Sequence, residues 1–127
     1  MRLIILITLV NLAGCSQPVK EQPILYPVNG TATLKGKLLE TGLVNLTPEI
    51  DIPNIILNGQ ILKDGSFKII CNLEGVKAEG APAGNYRATI LAGYTGNNPI
   101  LYPISKVLEV KTSANIWKLD ASVAQKQ

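Results

Sequence analysis

From Val28 onward, apolar and polar residues alternate along the chain with a period of two. In the first such segment, Val28, Ala32 and Leu34 alternate with Asn29 and Thr33. The alternation returns in the segments 44–46, 67–69, 86–90, 108–110 and 117–119. A period of two is typical of strands that bury one face and expose the other. Since no segment after residue 28 has a convincing helical period, the pattern predicts an all-β domain.

Turn-forming residues separate the alternating segments. The sequence Lys63-Asp64-Gly65-Ser66 lies between two apolar stretches, and Asp-Gly in that setting predicts a hairpin, because such turns need positive φ angles. A second glycine-rich stretch, residues 80–84, precedes the segment that begins near Tyr86. About seven short strands with regular turns between them predict an antiparallel seven-stranded β-sandwich.

The first fourteen residues have a different pattern, in which Met1 and Arg2 precede an apolar run over residues 3–12. A short cationic start followed by about ten apolar residues indicates a secretory signal peptide. The run is shorter than the roughly 20 residues that a membrane-spanning helix needs. Residues 1–14 are therefore predicted to be removed from the mature protein.

Cys15 directly follows Leu12, Ala13 and Gly14, and these four residues resemble a bacterial lipobox. The resemblance implies signal-peptidase recognition of residues 12–14, cleavage before Cys15 and acylation of Cys15. Stable membrane attachment takes two signals, and each buried lipid CH₂ contributes about 0.8 kcal/mol, so two or more chains anchor a small domain durably. An ordinary secretion signal with a chance cysteine is the alternative. An Asp directly after the acylated cysteine is associated with retention in the inner membrane. This chain has Ser16 at that position, which favours the outer membrane.

The sequence after the signal peptide divides into three parts. Residues 15–27 contain the predicted acylated cysteine and a proline-containing tether, residues 28–121 form the predicted sandwich, and residues 122–127 form a polar tail. The formal net charge of +3 includes Arg2, and the other basic residues are scattered. A nucleic-acid-binding protein would have a clustered basic face, so nucleic acid is not an expected partner.

Several of these segments together resemble the carboxypeptidase regulatory-like domains. The resemblance rests on the opening strand and turn VNGTATLKGKLL, the strand GLVNLTP, the turn DGSF, the strand APAGNYRATI and the closing strand IWKLD. It covers roughly residues 28–121 and is similar in overall pattern to small lipoproteins of planctomycete genomes. It implies a prealbumin-like (transthyretin-like) sandwich, but no binding or catalytic residue, because the family has no general one.

The chain contains no histidine. This excludes Ser-His-Asp and Cys-His catalytic pairs and removes the commonest metal ligand. Among transthyretin-like sandwiches, hydroxyisourate hydrolases depend on histidines, an arginine and a Tyr-Arg-Gly-Ser tail, whereas this chain ends Ser-Val-Ala-Gln-Lys-Gln. We therefore expect a protein that is not an enzyme, with no catalytic residues, no cofactor and no metal site.

Four other side chains could take part in chemistry, and each also has a purely structural explanation. Glu49 and Asp51 lie on one face if the chain is extended there, so they could share a cation, or they could form a solvated loop edge. Asp64 is explained by turn geometry. Cys71 follows two isoleucines, which favours a small buried hydrophobic side chain over a reactive thiol, and with Cys15 acylated it has no disulfide partner.

Two functions are compatible with this sequence. The first is a non-enzymatic, lipid-anchored protein of the bacterial cell envelope, a structural or protein-interaction module that contacts another envelope protein or the cell wall. The second is an envelope glycan-binding module that uses two long connections predicted at residues 49–57 and 93–105. Tyr94 and Tyr102 in the second connection could stack on sugars or could cap the end of the sandwich. A groove between the two connections would favour glycan binding.

Overall fold

The computed structural model describes residues 23–121, which are built almost entirely of β-strands. The strands are β1 (Val28–Leu34), β2 (Lys37–Leu38), β3 (Leu43–Pro48), β4 (Ile55–Gln60), β5 (Ser66–Lys68), β6 (Ile70–Leu73), β7 (Val76–Glu79), β8 (Gly84–Thr95), β9 (Asn98–Pro103), β10 (Leu108–Val110) and β11 (Asn115–Asp120). The predicted all-β fold is confirmed. The predicted signal peptide, Cys15, most of the tether and the polar tail lie outside the described residues.

The strands form two sheets, as expected for a β-sandwich. The larger sheet has seven strands in the order β10-β8-β3-β4-β6-β7, with β9 also paired to β8. The smaller sheet has four strands in the order β11-β1-β2, with β5 also paired to β1. The long strand β8 thus has β3 along one edge and both β9 and β10, one after the other, along its second edge.

Two details differ from the sequence-based prediction. The described part of the chain has eleven strands instead of about seven, since several are only two to four residues long. One strand pair is parallel: β1 runs alongside β11, with Val28 opposite Asn115 and Thr33 opposite Asp120. These two strands lie at the two ends of the domain sequence, so local patterning contains no information about their relative direction.

The core contains the residues that the alternation assigned to the inner faces. Phe67, Tyr86 and Leu119 are almost completely buried, and Trp117 is partly buried against them. Other buried side chains come from both sheets: Val28, Ala32, Val44, Leu46, Leu57, Ile69, Cys71, Ala88, Ile90, Leu108 and Val110. Burying one large apolar side chain stabilises a fold by about 1.5–3 kcal/mol, so this inner layer is the main source of stability.

Tyr86 closes the core at the start of β8. Its side chain is 1% exposed, and its hydroxyl donates a hydrogen bond of 2.6 Å to the carbonyl of Pro82. This is the arrangement called a tyrosine corner in β-sandwiches, in which a tyrosine near a strand start binds the backbone a few residues upstream. Burial raises the pKa of Tyr86 to about 12, with a smaller contribution from Cys71. The phenol therefore stays protonated and keeps donating its hydrogen bond to the carbonyl of Pro82.

The Asp64-Gly65 segment turns the chain tightly, as predicted, but it does not join two paired strands. The backbone N–H and the hydroxyl of Ser66 donate to Asp64 Oδ1 at 3.0 and 2.6 Å, which lowers the pKa of Asp64. Gly65 has a φ of 83°, which a glycine adopts without strain. The turn connects β4 of the larger sheet with β5 of the smaller sheet. The predicted hairpin is therefore a crossing between sheets.

The end of the predicted tether is already attached to the sandwich. Tyr26 exchanges backbone hydrogen bonds with Ala81, at 2.9 and 3.0 Å. The carbonyl of Pro27 accepts from the backbone and side chain of Asn115, at 2.9 and 3.2 Å. Leu25 is partly buried against the core. Residues 25–27 therefore lie against the folded body rather than extending from it.

Candidate functional site

The predicted lipidation site lies outside the described residues. Leu12, Ala13, Gly14 and Cys15 all precede Pro23, the first residue that the structure describes. Acylation of Cys15 therefore stays a prediction from the sequence. Within residues 23–121, the structure has no helix that is long and apolar enough to cross a membrane.

The two long connections that were predicted to form a glycan-binding groove have different structures from those expected. Only residues 49–54 form an open connection, because β4 begins at Ile55. Most of the segment 93–105 is a β-hairpin, formed by the end of β8 and by β9. Residues 55–57, 93–95 and 98–103 are therefore corrected from loop to strand, and residues 96–97 form the turn between β8 and β9. Neither segment shows the alternation of a half-buried strand, since residues 55–57 are all apolar and the second segment contains Pro99 and Pro103.

The connection and the hairpin tip also lie at opposite ends of the larger sheet. Strand β3 begins opposite Leu91 and ends opposite Tyr86 of the antiparallel β8. The connection 49–54 follows the end of β3, whereas the hairpin tip at residues 96–97 extends beyond Leu91. The connection 49–54 and the hairpin tip therefore do not border a common groove. Only the base of the second segment comes near the first, where Arg87 contacts both Glu49 and the carbonyl of Ser105.

Tyr94 and Tyr102 have opposite environments on the same hairpin. Tyr102 lies opposite Ile90 and is partly buried against the core. Its ring therefore belongs to the inner layer. Tyr94 is 73% exposed and lies on the outer face of the larger sheet. Of the two predicted stacking residues, Tyr94 is available to a ligand and Tyr102 is a packing residue.

A β-bulge in the hairpin explains the exposure of Tyr94. Residues 86, 88, 90 and 92 are buried in regular alternation, which would also place residue 94 inside. The pairs on either side of the bulge are Leu91 with Leu101 and Tyr94 with Pro99. Two residues of β8, Ala92 and Gly93, thus face one residue of β9, Ile100, and the extra residue turns Tyr94 outward. Gly93 has a φ of 82°, which glycine adopts easily.

The outer face beside Tyr94 is a shallow concavity. Its volume is about 450 Å³, and it is lined by Thr41, Gly42, Leu43, Gln60, Leu91, Gly93, Tyr94 and Pro99. The register places Gln60, Leu43, Leu91 and Leu101 in one row across four neighbouring strands. Leu43 and Leu91 are partly buried, while Leu101 is 56% exposed. The lining thus combines an apolar floor with an exposed ring, an amide and a hydroxyl.

Within residues 23–121, the side chains that line the concavity are uncharged. None of the lining residues is Asp, Glu, Lys or Arg. The next outward row of the same sheet contains Asn58, Asn45 and Thr89, which are also uncharged. An uncharged surface does not select for an ionic ligand, since neither a phosphate nor an ammonium group would find a counter-charge there.

Charged groups are found at the opposite end of the same face. Arg87 Nε lies 3.1 Å from Glu49 Oε2, and Arg87 Nη1 donates to the carbonyl of Ser105 at 3.3 Å. The first carboxylate of the predicted cation pair is thus occupied by a guanidinium. Within residues 23–121, no group of three or more potential acidic, cysteine or histidine ligands comes together. This arrangement fits the solvated edge better than a cation site shared with Asp51.

Cys71 is 3% exposed, on β6 within the core. Burial raises the pKa of its thiol, because the thiolate would lose its hydration. A thiol is a nucleophile mainly in its ionised form, so a buried cysteine with a raised pKa is unreactive. The interpretation of Cys71 as a small apolar core residue therefore holds, and the reactive-thiol alternative is removed.

The candidate site contains residues that the sequence reasoning missed. Gln60 is the last residue of β4 and Thr41 lies just before β3, so the two become neighbours only when β3 pairs with β4. The bulge had a sequence signal, since an isolated glycine inside a strand pattern, here Gly93, is typical of bulges.

Comparisons of the chain with protein-family models, with curated proteins and with solved structures found no match.

Proposed function

We propose that this protein is a non-enzymatic, lipid-anchored component of the bacterial cell envelope whose β-sandwich is an interaction module. The observation that carries the proposal is the sequence Leu12-Ala13-Gly14-Cys15 at the end of an apolar signal-like segment. A folded body that begins near Leu25 leaves only residues 16–24 between the predicted anchor and the domain. The domain would therefore be held close to the membrane surface.

The proposed partners follow from this location. They are the membrane itself, through lipid on Cys15, and an envelope protein or the cell wall, through the sandwich. Ser16 favours the outer membrane. The carboxypeptidase regulatory-like resemblance, including its planctomycete lipoprotein type, agrees with a binding or structural domain rather than an enzyme. The absence of histidine from the whole sequence supports the same proposal.

The two cysteines provide a matched test of the anchor. The full chain is expressed in a bacterium that acylates lipoproteins, with a labelled fatty acid in the medium. The mass of the N-terminal peptide is then measured by mass spectrometry. We expect label and acyl mass on Cys15 in the parent protein and in Cys71→Ala, and neither in Cys15→Ser. A parent protein with an unmodified Cys15 thiol, or with a mature start elsewhere, would contradict the proposal.

A second candidate function is glycan binding by the same domain. The observation that favours it is the uncharged concavity beside Tyr94, whose lining combines apolar, amide and hydroxyl groups. Its volume is within the range of about 300–1,000 Å³ that is usual for small-ligand sites. The two functions are compatible, because an anchored domain has its outer sheet face available to envelope polymers.

A further inference from the structure

The bulge in β8 turns the ring of Tyr94 onto the outer face of the larger sheet, where it borders the uncharged concavity. We propose that this face binds a neutral oligosaccharide, with one sugar ring stacked on Tyr94. The proposal rests on the second candidate function and is independent of the lipid anchor. It names the ligand class, the contact residues and the backbone feature that presents them.

The first support is the position of Tyr94. An exposed tyrosine offers a flat apolar face with partial negative charge, and this face attracts the C–H groups that cover one side of a sugar ring. Tyr94 is 73% exposed, whereas the sheet alternation without the bulge would bury it. Bulges near functional sites commonly re-aim a side chain, and here the bulge uses Gly93 at a φ of 82°.

The second support is the chemistry of the neighbouring side chains. Gln60 and Thr41 border the concavity and provide amide and hydroxyl groups that both donate and accept hydrogen bonds. Sugar hydroxyls need partners of both kinds. Leu91 and Pro99 form apolar lining beside Tyr94, which suits the C–H surface of the same ligand. This combination of groups fits an amphipathic ring.

The third support is that, within residues 23–121, the lining and the part of the adjacent outward row on β4, β3 and β8 carry no charged side chain. The row reaches a carboxylate only at Glu79 on the edge strand β7, which is paired with Lys68. The lining contains no Asp, Glu, Lys or Arg, and the next row on the same face presents Asn45, Asn58 and Thr89. A uronate or sulfated glycan would enter without a cation to meet it. The half-buried amides of Asn45 and Asn58 lie opposite each other, so they extend the polar surface along the sheet for a ligand of more than one sugar.

A protein partner fits this face less well. Protein interfaces need about 800 Å² from each partner and are enriched in arginine as well as aromatic residues. Arg87 lies two outward rows away, and its guanidinium is occupied by Glu49 and Ser105. The concavity itself, at about 450 Å³, has the size of a small-ligand site.

The test uses the purified full chain in detergent and titrates it with cellotetraose, chitotetraose and maltotetraose, with a uronate tetrasaccharide as the charged comparison. Binding is followed by calorimetry. We expect binding of at least one neutral tetrasaccharide and none of the uronate. Absence of binding to all three neutral probes, or preference for the uronate, would overturn the proposal.

Substitutions in and away from the concavity test where the oligosaccharide binds. Tyr94→Ala should weaken binding at least about tenfold, while Tyr94→Phe, which keeps the ring, should change it less than about threefold. Gln60→Ala should weaken binding by an intermediate factor. Ile116→Ala is the matched control, since Ile116 is an exposed apolar residue, 79% accessible, on a strand of the smaller sheet. Circular dichroism of each variant checks that the fold is retained.

Two outcomes separate the possible failures. If a neutral tetrasaccharide binds but Tyr94→Ala binds it as tightly as the parent, this site is wrong while glycan binding stands. If sedimentation shows a dimer that Tyr94→Ala converts to a monomer, the face is a protein interface and the saccharide proposal is overturned. Neither outcome bears on the acyl label at Cys15, which tests the anchor separately.

Discussion

Tyr86 and Tyr94 lie on the same strand and have opposite environments. Tyr86 is 1% exposed and donates its hydroxyl to the carbonyl of Pro82, whereas Tyr94 is 73% exposed beside a concavity. Both have even numbers in a strand whose even-numbered residues from 86 to 92 are buried. The difference is the bulge at Ala92 and Gly93. One extra residue therefore separates a tyrosine that stabilises the fold from one that is available for binding.

Truncation of the two rings should give the largest contrast. Tyr86→Ala removes a buried aromatic ring and leaves a cavity, so we expect a loss of about 3–5 kcal/mol in the free energy of unfolding. Tyr94→Ala removes an exposed ring, so its effect should stay within about 0.5 kcal/mol. Urea denaturation of both variants measures the contrast. Similar losses in the two variants would mean that Tyr94 also supports the core.

The hydroxyl of Tyr86 should have a smaller effect that depends on pH. Tyr86→Phe leaves the buried carbonyl of Pro82 without its donor, at a cost of about 1–3 kcal/mol near neutral pH. In the parent, the folded-state pKa of Tyr86 is raised to about 12, above the value near 10 of an unfolded tyrosine. The folded state therefore retains its proton longer, and this contribution is complete below pH 10 and lost as the pH rises through 12.

Denaturation curves of the parent and of Tyr86→Phe between pH 8 and 12 test this sign. The stability advantage of the parent should shrink steadily above about pH 10. Tyr102→Phe serves as a comparison, because Tyr102 is only partly buried. A difference between parent and Tyr86→Phe that stays constant up to pH 12 would mean that the phenol ionises similarly in the folded and unfolded chains.

The bulge itself should respond to a change at Gly93. Gly93→Ala places a Cβ on a residue with a φ of 82°, where an L-residue costs about 1–2 kcal/mol. We expect a destabilisation of that size, with weaker oligosaccharide binding if the chain relieves the strain by shifting the register. Gly75→Ala, at a φ of 91° in the β6–β7 turn, is the matched control. It should be destabilised to a similar extent while binding as tightly as the parent.

Much of the fold was predictable from the sequence because it depends on local alternation. The inner positions of β1, β3, β8 and β10 follow directly from the period of two. The turn at Asp64 follows from its Asp-Gly sequence, and its carboxylate accepts a hydrogen bond from Ser66 two residues away. The proline-containing hairpin strand β9 was not predicted. Pro99 and Pro103 favour a loop over a strand, yet β9 pairs with only one neighbour in the described structure and tolerates them at its edge.

The candidate site was predictable only in part. Tyr94 was identified as an aromatic residue among polar neighbours, but its partner in the prediction, Tyr102, faces the core. Gln60 and Thr41 had no signal, because nothing local marks a residue as lining the same concavity as Tyr94, which lies more than thirty positions further along the chain. The predicted groove between two loops also failed, since antiparallel pairing of β3 with β8 places the connection 49–54 and the tip of the β8–β9 hairpin at opposite ends.

The sequence by itself determined the all-β character, the buried positions and the residues of the predicted anchor at Cys15. These depend on side-chain type and short-range spacing, which the chain carries at every position. Tertiary structure alone decided the parallel pairing of β1 with β11, the crossing of the Asp64 turn between sheets and the outward direction of Tyr94. Each of these features depends on hydrogen bonds between segments that are distant in the sequence. The register of those strand pairs decides which face each side chain occupies, and a register shift of one residue moves it to the other face.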